Sequence, residues 1–218
     1  MNFHNIEAVL FDLDNTLLDR TKTFAKYCDH FLDVLFSEKI TNSEKDNIKK
    51  YMIENDKNGY EQRSVFYQNL IEKWDLPCNA QDLENEWREH FYKYSVPEDC
   101  LIEVMEYLSG KYKLGIVTNG SSHMQNSKID ALGIRRFFQT IVISAEVGIK
   151  KPDSEIFLLA CEKLNIPASS ALFIGDNFQF DVVGAANAGL SSIWLNKASV
   201  KDDYPVTIKY LSELINLL

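Results

Sequence analysis

Two aspartates that lie two positions apart are the first residues able to do chemistry in this chain. In FDLDNTLLD, Asp12 and Asp14 follow an apolar run that ends at Phe11. The run is typical of a buried strand, and side chains at i and i+2 of a strand point the same way. Two crowded carboxylates raise a pKa or bind a cation. The pair therefore indicates a proton donor, a metal site, or both.

Polar side chains also follow three later apolar runs. In chain order they are Thr118 with Asn119, Lys151 in KKPD, and Asp176 with Asp181. The carboxyl ends of parallel strands meet at one edge of a sheet, where ligands bind in open α/β folds. We therefore expect these side chains to share one cleft with the aspartate pair.

This set of side chains is suited to a hard cation beside a phosphate group. Mg²⁺ takes oxygen ligands, usually one or two carboxylates completed by waters and a substrate phosphate. Asp12, Asp176 and a backbone carbonyl near Asp14 are the predicted metal ligands. A hydroxyl such as that of Thr118, the N–H groups of the turn after it and a lysine ammonium suit phosphoryl oxygens. A carboxylate beside the metal can then attack phosphorus and form an aspartyl phosphate.

Continuous apolar runs alternate with helical patterns in most of the chain. The runs are IEAVLF, KLGIVTN, TIVIS, ALFIGD and SSIWLN, and the helical patterns cover about 98–109, 121–132, 153–164, 178–188 and 209–217. Uninterrupted apolar runs are typical of parallel strands that are covered on both faces. The sequence therefore predicts an α/β fold with a doubly wound, Rossmann-like, mostly parallel sheet.

Residues 17–96 interrupt this alternation. They contain no strand-like run, and their apolar residues recur at helical spacing, which predicts four helices with Ser43 and Asn79 as N-caps. The predicted domains are an α/β core, 1–16 with 97–218, and an inserted helical bundle, 17–96.

Three residues of the insertion are predicted substrate contacts. Arg20 follows the first motif, and Tyr60 and Arg63 lie beside Asn58-Gly59, a sequence typical of a loop. Loops carry many of the binding residues of proteins.

Composition limits the partners. A net charge of -9 over 218 residues argues against binding to nucleic-acid polymers and acidic membranes, which need clustered Lys and Arg.

The four cysteines are scattered without a CxxC pair, so neither a disulfide framework nor a zinc site is indicated. No signal-peptide pattern or long apolar segment is present, and we expect a cytoplasmic protein. The sequence carries no signal for an oligomeric state.

The motifs resemble a known superfamily. FDLDNTL, IVTNG, GIKKPDSEIF and IGDNFQFDVVGAANAGL are similar to the four motifs of the haloacid dehalogenase superfamily, and the insertion looks like its helical cap. The segments TNGSSHMQNSKIDALGI and VISAEVGIKKPDSEIF are most similar to its capped phosphatases of small phosphate monoesters, including 5′-nucleotidases.

The resemblance implies a role for each motif residue. It makes Asp12 the nucleophile, Asp14 the general acid and base, Thr118 and Lys151 the phosphate holders, Asp176 a Mg²⁺ ligand, and Asp181 a residue that positions the metal shell or Lys151. Asp14 also disfavours a dehalogenase, because such enzymes typically lack this second aspartate. Because Asp12 crowds Asp14, we expect the two carboxyls to titrate as a coupled pair, with the pKa of Asp14 raised.

The sequence thus predicts a Mg²⁺-dependent phosphatase of a small phosphorylated metabolite, with a nucleotide as one candidate. A sugar phosphomutase and a phosphoglycolate or sugar-phosphate phosphatase are the alternatives among enzymes, because the same core can transfer phosphate to a sugar or to water. Outside enzymes, the alternative is a receiver-like signalling module or a non-catalytic phosphate-binding module. Receiver modules usually lack a helical insertion, and the chain has lost no motif position.

Overall fold

The computed structural model describes residues 5–36, 41–59, 61–198 and 206–218. Tyr60, one of the predicted substrate contacts, lies outside these residues. The chain divides into two compact units, Met1–Asp19 with Pro97–Leu218, called the core below, and Arg20–Val96, called the helical insertion. In the part of the chain that the structure describes, every helix is too short or too polar to cross a membrane.

A parallel sheet forms the centre of the core. Its strands are β1 (Ala8–Phe11), β2 (Lys113–Thr118), β3 (Thr140–Ile143), β4 (Ala171–Gly175), β5 (Ser191–Leu195) and β6 (Thr207–Ile208), in the order β3-β2-β1-β4-β5-β6. All neighbouring pairs are parallel, so the predicted doubly wound α/β fold is confirmed. The two-residue strand β6 was not predicted, because so short a strand leaves no recognisable apolar run.

The helices lie in the insertion, between the strands and after β6. They are α1 (Arg20–Phe36), α2 (Asn42–Asn55), α3 (Arg63–Trp74), α4 (Ala80–His90), α5 (Leu101–Ser109), α6 (Ser122–Ala131), α7 (Ser144–Val147), α8 (Ser154–Leu164), α9 (Gly184–Asn187) and α10 (Leu214–Leu217). The helix predicted over 178–188 is instead a π-helical segment, Phe178–Val183, followed by α9. Short π segments are frequent at functional sites.

The sheet is buried on both faces. Alternate residues of β1 belong to two different apolar clusters, Val9 and Phe11 to one, Ala8 and Leu10 to the other. The first cluster includes the apolar face of α5 and the second that of α8. This arrangement explains why the strands are continuously apolar in sequence.

The centre of the sheet is also where its winding reverses. β1 lies between β2 and β4, with Phe11 paired to Ile116 on one side and to Ile174 on the other. Ligands of open α/β sheets bind beyond the carboxyl ends of the strands at such a switch point. The residues that follow β1, β2 and β4 therefore lie where ligands of this fold class bind.

The core extends further along the chain than the sequence indicated. The first unit ends after Asp19 rather than after residue 16. Leu17 and Leu18 are fully buried in the core, and the N–H of Glu98 donates to the carbonyl of Leu17 at 3.0 Å. The outgoing and returning segments of the chain are thus hydrogen-bonded to each other.

The helical insertion contains the four helices that its apolar spacing predicted, α1 to α4. Asn79 caps α4 as expected, with its Oδ1 accepting from the N–H of Asp82 at 2.9 Å. The cap of α2 is Thr41 rather than Ser43, because Thr41 and Glu44 form a reciprocal capping box. The spacing S/T-x-x-E identifies this cap, whereas Ser43 lacks a matching acidic partner.

A buried ion cluster lies inside the insertion. Asp56 is 2% exposed and accepts hydrogen bonds from both Arg20 and Arg63. The Arg63 guanidinium also lies over the rings of Phe66 and Trp87, 5.2 and 5.0 Å from their centroids. The two arginines predicted to contact substrate therefore have structural partners within the insertion, and their contact with substrate stays a prediction.

Glu86 connects α4 to α1 within the insertion. Its Oε1 lies 3.1 Å from His30 Nε2, and its Oε2 accepts from the Tyr27 hydroxyl. His90, one turn further along α4, places Nδ1 3.0 Å from the backbone carbonyl of Glu86. His30, Glu86 and His90 bring three metal-ligand atoms within 4.8 Å of one another, but these side chains already hydrogen-bond within the insertion.

We predict that Asp56→Asn strongly destabilises the protein. The substitution removes the negative charge between the buried Arg20 and Arg63, whose side chain is 10% exposed. Breaking a buried ion pair from one side costs about 3–5 kcal/mol. We expect the free energy of unfolding to fall by about 3 kcal/mol, measured by urea titration with tryptophan fluorescence, since Trp74 and Trp87 lie in the insertion.

Asp29→Asn is the matched control. Asp29 is 59% exposed in its pair with Lys49, and exposed pairs contribute about 0–1 kcal/mol. Equal losses in the two variants would contradict a special contribution from the buried cluster.

The contribution of Asp56 should depend on pH. Burial by itself raises the pKa of Asp56, but Arg20 and Arg63 together hold it below its ordinary 3.8. A carboxyl with a lowered folded-state pKa stabilises the protein above its unfolded pKa and loses this contribution as the pH falls through the folded pKa. The difference in the free energy of unfolding between the wild type and Asp56→Asn should have its full value at neutral pH and should become smaller below pH 3.8. A difference that does not change down to about pH 3 would disprove this coupling.

Candidate active site

Asp12 lies at the centre of the cleft edge, directly after β1. Its N–H continues the sheet by donating to the carbonyl of Ile174 at 2.9 Å, and its side chain accepts from Lys151 Nζ at 2.6 Å. Lys151 Nζ also donates to Asp181 Oδ1 at 2.6 Å. Lys151 is 4% exposed and Asp181 fully buried, so one buried ammonium bridges two buried carboxylates.

Asn119 positions the backbone of Lys151. Its Nδ2 donates to the carbonyl of Lys151 at 3.0 Å, and the N–H of Lys151 donates to its Oδ1 at 2.9 Å. The side chain of Asn119, predicted as a phosphate ligand, is thus engaged with the loop that precedes α8. The two adjacent lysines are also distinguished, because Lys150 is exposed and Lys151 buried.

Asp181 is held in the π-helical segment after β4. Its Oδ2 accepts from the N–H of Asn177 at 2.9 Å, and its own N–H donates to the carbonyl of Asn177 at 2.8 Å. A Cβ at Gly175 would lie 2.4 Å from the Asp181 carboxylate. Glycine is therefore required at the end of β4, because any side chain there would displace Asp181.

Asp176 completes a group of three carboxylates. Trp194 on β5 donates its indole N–H to the backbone carbonyl of Asp176 at 2.8 Å, which fixes the turn after β4. Asp12, Asp176 and Asp181 each offer a carboxylate oxygen within 4.8 Å of the others. Lys151 supplies one positive charge against these three groups.

The titration of these groups reflects burial and crowding. The pKa of Asp12 is raised to about 7, mainly by burial. Of its charged neighbours, Lys151 lowers this pKa and Asp181 raises it. Burial and then the charge of Asp12 raise the pKa of Asp176 to about 8. Burial by itself would lower the pKa of Lys151, but Asp12 and Asp181 hold it above its ordinary value. Additional positive charge would relieve the repulsion between the carboxylates.

The donor set fits a hard divalent cation. All three groups offer carboxylate oxygens, the ligands that Mg²⁺ prefers over nitrogen or sulfur. Both oxygens of Asp181 already accept hydrogen bonds, so Asp12 and Asp176 are the better direct ligands. The predicted metal contact of Asp14 is through its backbone carbonyl and stays a prediction.

Asp14 lies in a second network, with two residues that the sequence analysis did not identify. Lys128 Nζ donates to both carboxylate oxygens of Asp14 at 2.8 Å. Gln125 Nε2 donates to Asp14 Oδ2 at 3.0 Å and to Thr118 Oγ1 at 2.7 Å. Polar residues on a helix are usually solvated, which is why these two were missed. Their i, i+3 spacing on the helix after a motif strand is the signal that could have identified them.

The turn after β2 determines how closely the Gln125 side chain approaches the end of that strand. Thr118 is 1% exposed, and Gly120 has φ +142°, a conformation that favours glycine. A Cβ at Gly120 would come within 2.9 Å of the Gln125 side chain. The N–H of Gly120 donates to Ser144 Oγ at 3.0 Å, so the turns after β2 and β3 support each other.

The structure therefore brings most of the predicted residues together in the core, but places two of them inside the insertion. The core cleft contains Asp12, Asp14, Thr118, Asn119, Lys151, Asp176 and Asp181, whereas Arg20 and Arg63 pair with Asp56 inside the insertion. Asp12 and Asp14 have separate lysine partners, Lys151 and Lys128.

Comparison with known proteins gives consistent results. The family model described as haloacid dehalogenase-like hydrolase matches residues 9–195. Glyceraldehyde 3-phosphate phosphatase from Pyrococcus abyssi is 32% identical over 207 residues, 87% of this chain and 81% of that protein. Pyrimidine 5′-nucleotidase YjjG from Escherichia coli is 40% identical over 96 residues, and this match spans only 44% of this chain and 43% of the relative.

A solved structure covers nearly the whole chain. The magnesium-bound HAD-hydrolase YfnB from Bacillus subtilis is 26% identical, with a TM-score of 0.75 over 98% of this chain and 99% of that one. The family match includes every strand end of the cleft. The resemblance seen in the four motifs is thereby confirmed, and the chain belongs to the haloacid dehalogenase-like hydrolase family.

Proposed function

We propose that this protein is a Mg²⁺-dependent phosphatase that hydrolyses a small phosphate monoester through an aspartyl phosphate at Asp12. The observation that carries the proposal is the setting of the Asp12 carboxylate at the end of the central strand, 2.6 Å from Lys151 Nζ and grouped with Asp176. The curated relatives named as a nucleotidase and as a phosphatase support the reaction class.

The first half of the reaction uses Asp12 and Asp14. A carboxylate oxygen of Asp12 forms a bond to phosphorus while the ester P–O bond breaks, and Asp14 gives a proton to the departing alcohol. Lys151 and the Thr118 hydroxyl hold the phosphoryl oxygens. Asp12 and Asp176 would hold the Mg²⁺, which would supply positive charge to reduce the repulsion between the nucleophile and the phosphoryl group.

The second half releases phosphate. Asp14, now a carboxylate, accepts a proton from a water molecule that attacks phosphorus. The bond between phosphorus and Asp12 breaks, and both aspartates return to their starting forms. The same carboxyl thus serves as the acid in the first half of the reaction and as the base in the second.

Nucleoside 5′-monophosphates are the first substrate class that we propose. The support is the 40% identical segment shared with a pyrimidine 5′-nucleotidase. Glyceraldehyde 3-phosphate is the second candidate, because the relative of that name aligns over most of the chain.

The mechanism predicts turnover of p-nitrophenyl phosphate that requires both Mg²⁺ and Asp12. Removal of the metal with a chelator should abolish turnover, and Asp12→Asn should lower kcat/KM by more than about 1,000-fold, because the nucleophile is lost. Asp130→Asn is the control, since Asp130 is 60% exposed on α6 and should leave turnover unchanged. Metal-independent turnover, or full activity in Asp12→Asn, would exclude the proposed chemistry.

A substrate panel tests the proposed class. We expect pyrimidine nucleoside 5′-monophosphates to show a higher kcat/KM than glyceraldehyde 3-phosphate or phosphoglycolate, with one phosphate released for each substrate consumed. A preference for either of the other esters would reassign the substrate. Formation of an isomeric sugar phosphate without phosphate release would identify a phosphomutase instead.

A further inference from the structure

Gln125 and Lys128 are buried polar residues of α6 that have no role in the reaction steps proposed above. They are 2% and 4% exposed. We infer that they are positioning residues, which orient the Asp14 carboxylate and connect it to the Thr118 hydroxyl. The inference rests on the proposed function, in which Asp14 is the acid and Thr118 binds phosphate.

Lys128 fixes the plane of the Asp14 carboxylate. Its ammonium donates to Oδ1 and Oδ2 of Asp14, both at 2.8 Å, and to Gln125 Oε1 at 2.8 Å. An ammonium has three donors and no acceptor. Contact with both carboxylate oxygens limits rotation of the carboxyl group, which a single hydrogen bond would leave free to turn.

Gln125 has a defined amide orientation. Lys128 can only donate, so the Gln125 atom that faces it must be the carbonyl oxygen. The amide nitrogen then donates to Asp14 Oδ2 at 3.0 Å and to Thr118 Oγ1 at 2.7 Å. One side chain therefore contacts both the acid and a phosphate-binding hydroxyl.

The bond from Gln125 also determines what Thr118 can do. Because its Oγ1 accepts from Gln125, its hydrogen must point elsewhere. The contact to the carbonyl of Asn119 is 3.4 Å, long for a hydroxyl donor. The hydroxyl hydrogen is thus available to a phosphoryl oxygen.

Local structure explains why α6 can supply both side chains. Ser121 caps the helix, and residues at i and i+3 lie on the same face, so Gln125 and Lys128 point to the same neighbour. The short turn with Gly120 brings this face against the end of β2. The helix after the phosphate-binding strand thereby holds the acid that follows the adjacent strand β1.

Lys128→Met tests the orientation of Asp14. It keeps the aliphatic stem and removes the three donors. We expect kcat/KM for an alkyl phosphate to fall by about 10- to 100-fold, and that for p-nitrophenyl phosphate by less than about threefold, because p-nitrophenolate leaves without a proton. The ratio kcat/KM reports steps up to the aspartyl phosphate, and so excludes the later step that is common to both substrates.

Two further variants separate positioning from a general loss of structure. Lys128→Arg keeps the charge and donors and should restore most of the alkyl phosphate activity. Lys163→Met makes the same substitution at an exposed lysine of α8 and should change neither substrate. Thermal unfolding of each variant is recorded alongside. A uniform loss on both substrates in Lys128→Met would indicate a structural role only and would overturn the inference.

Gln125→Leu tests the link to Thr118 without removing a charge. We expect inhibition by inorganic phosphate to weaken by about fivefold or more, because the Thr118 hydroxyl loses its orientation. Unchanged inhibition in a folded variant would disprove this link. The readout is independent of the Lys128 variants, so the inference stays testable if Lys128→Met does not fold.

Asp14→Asn, measured in parallel, distinguishes failure of the inference from failure of the proposed function. It should show the same dependence on leaving group, and adding Lys128→Met to it should cause little further loss, since residues in one network are not additive. Leaving-group dependence in Asp14→Asn but not in Lys128→Met would overturn the positioning role alone. Its absence in Asp14→Asn would overturn the acid role, and the inference with it.

Discussion

The bridge that Lys151 forms between Asp12 and Asp181 is the interaction on which the site depends. A buried ammonium is costly unless it is paired and hydrogen-bonded, and here it has two carboxylate partners at 2.6 Å. The three residues come from the end of β1, the loop before α8 and the π-helical segment after β4. The bridge thus holds together three segments that are distant in sequence, and it orients the Asp12 carboxylate.

The same bridge explains why a glycine is required at position 175 and what the Asn119 side chain does. Gly175 leaves room for the Asp181 carboxylate, and Asn119 holds the Lys151 backbone from the neighbouring strand end. Three carboxylates around one ammonium leave an excess of negative charge, which burial makes more costly. Carboxylate oxygens with excess negative charge are the ligand set that hard divalent cations such as Mg²⁺ prefer, which is why the proposed function includes this metal.

The structure also gives Asp12 and Asp14 different surroundings, although only one residue separates them in the chain. Sequence alone presents Asp12 and Asp14 as a crowded pair, in which each carboxyl perturbs the other. In the fold each has its own lysine, Lys151 for Asp12 and Lys128 for Asp14, supplied from different elements. Each carboxylate is thereby held by a different partner, as the two separate roles proposed for them would require.

The sequence by itself determined the α/β class, because buried strands and amphipathic helices have periodic patterns that local sequence displays. It also predicted a helical insertion and a set of motif residues at the strand ends. Only the tertiary structure decided that Asn119 holds a backbone, that the core continues to Asp19, and that Gln125 and Lys128 belong to the site. Lys128 and Asp14 are 114 positions apart, and a lysine in a polar helix has no local sign of burial. Its partner is determined by the order of the strands and the packing of α6, which no short stretch of sequence contains.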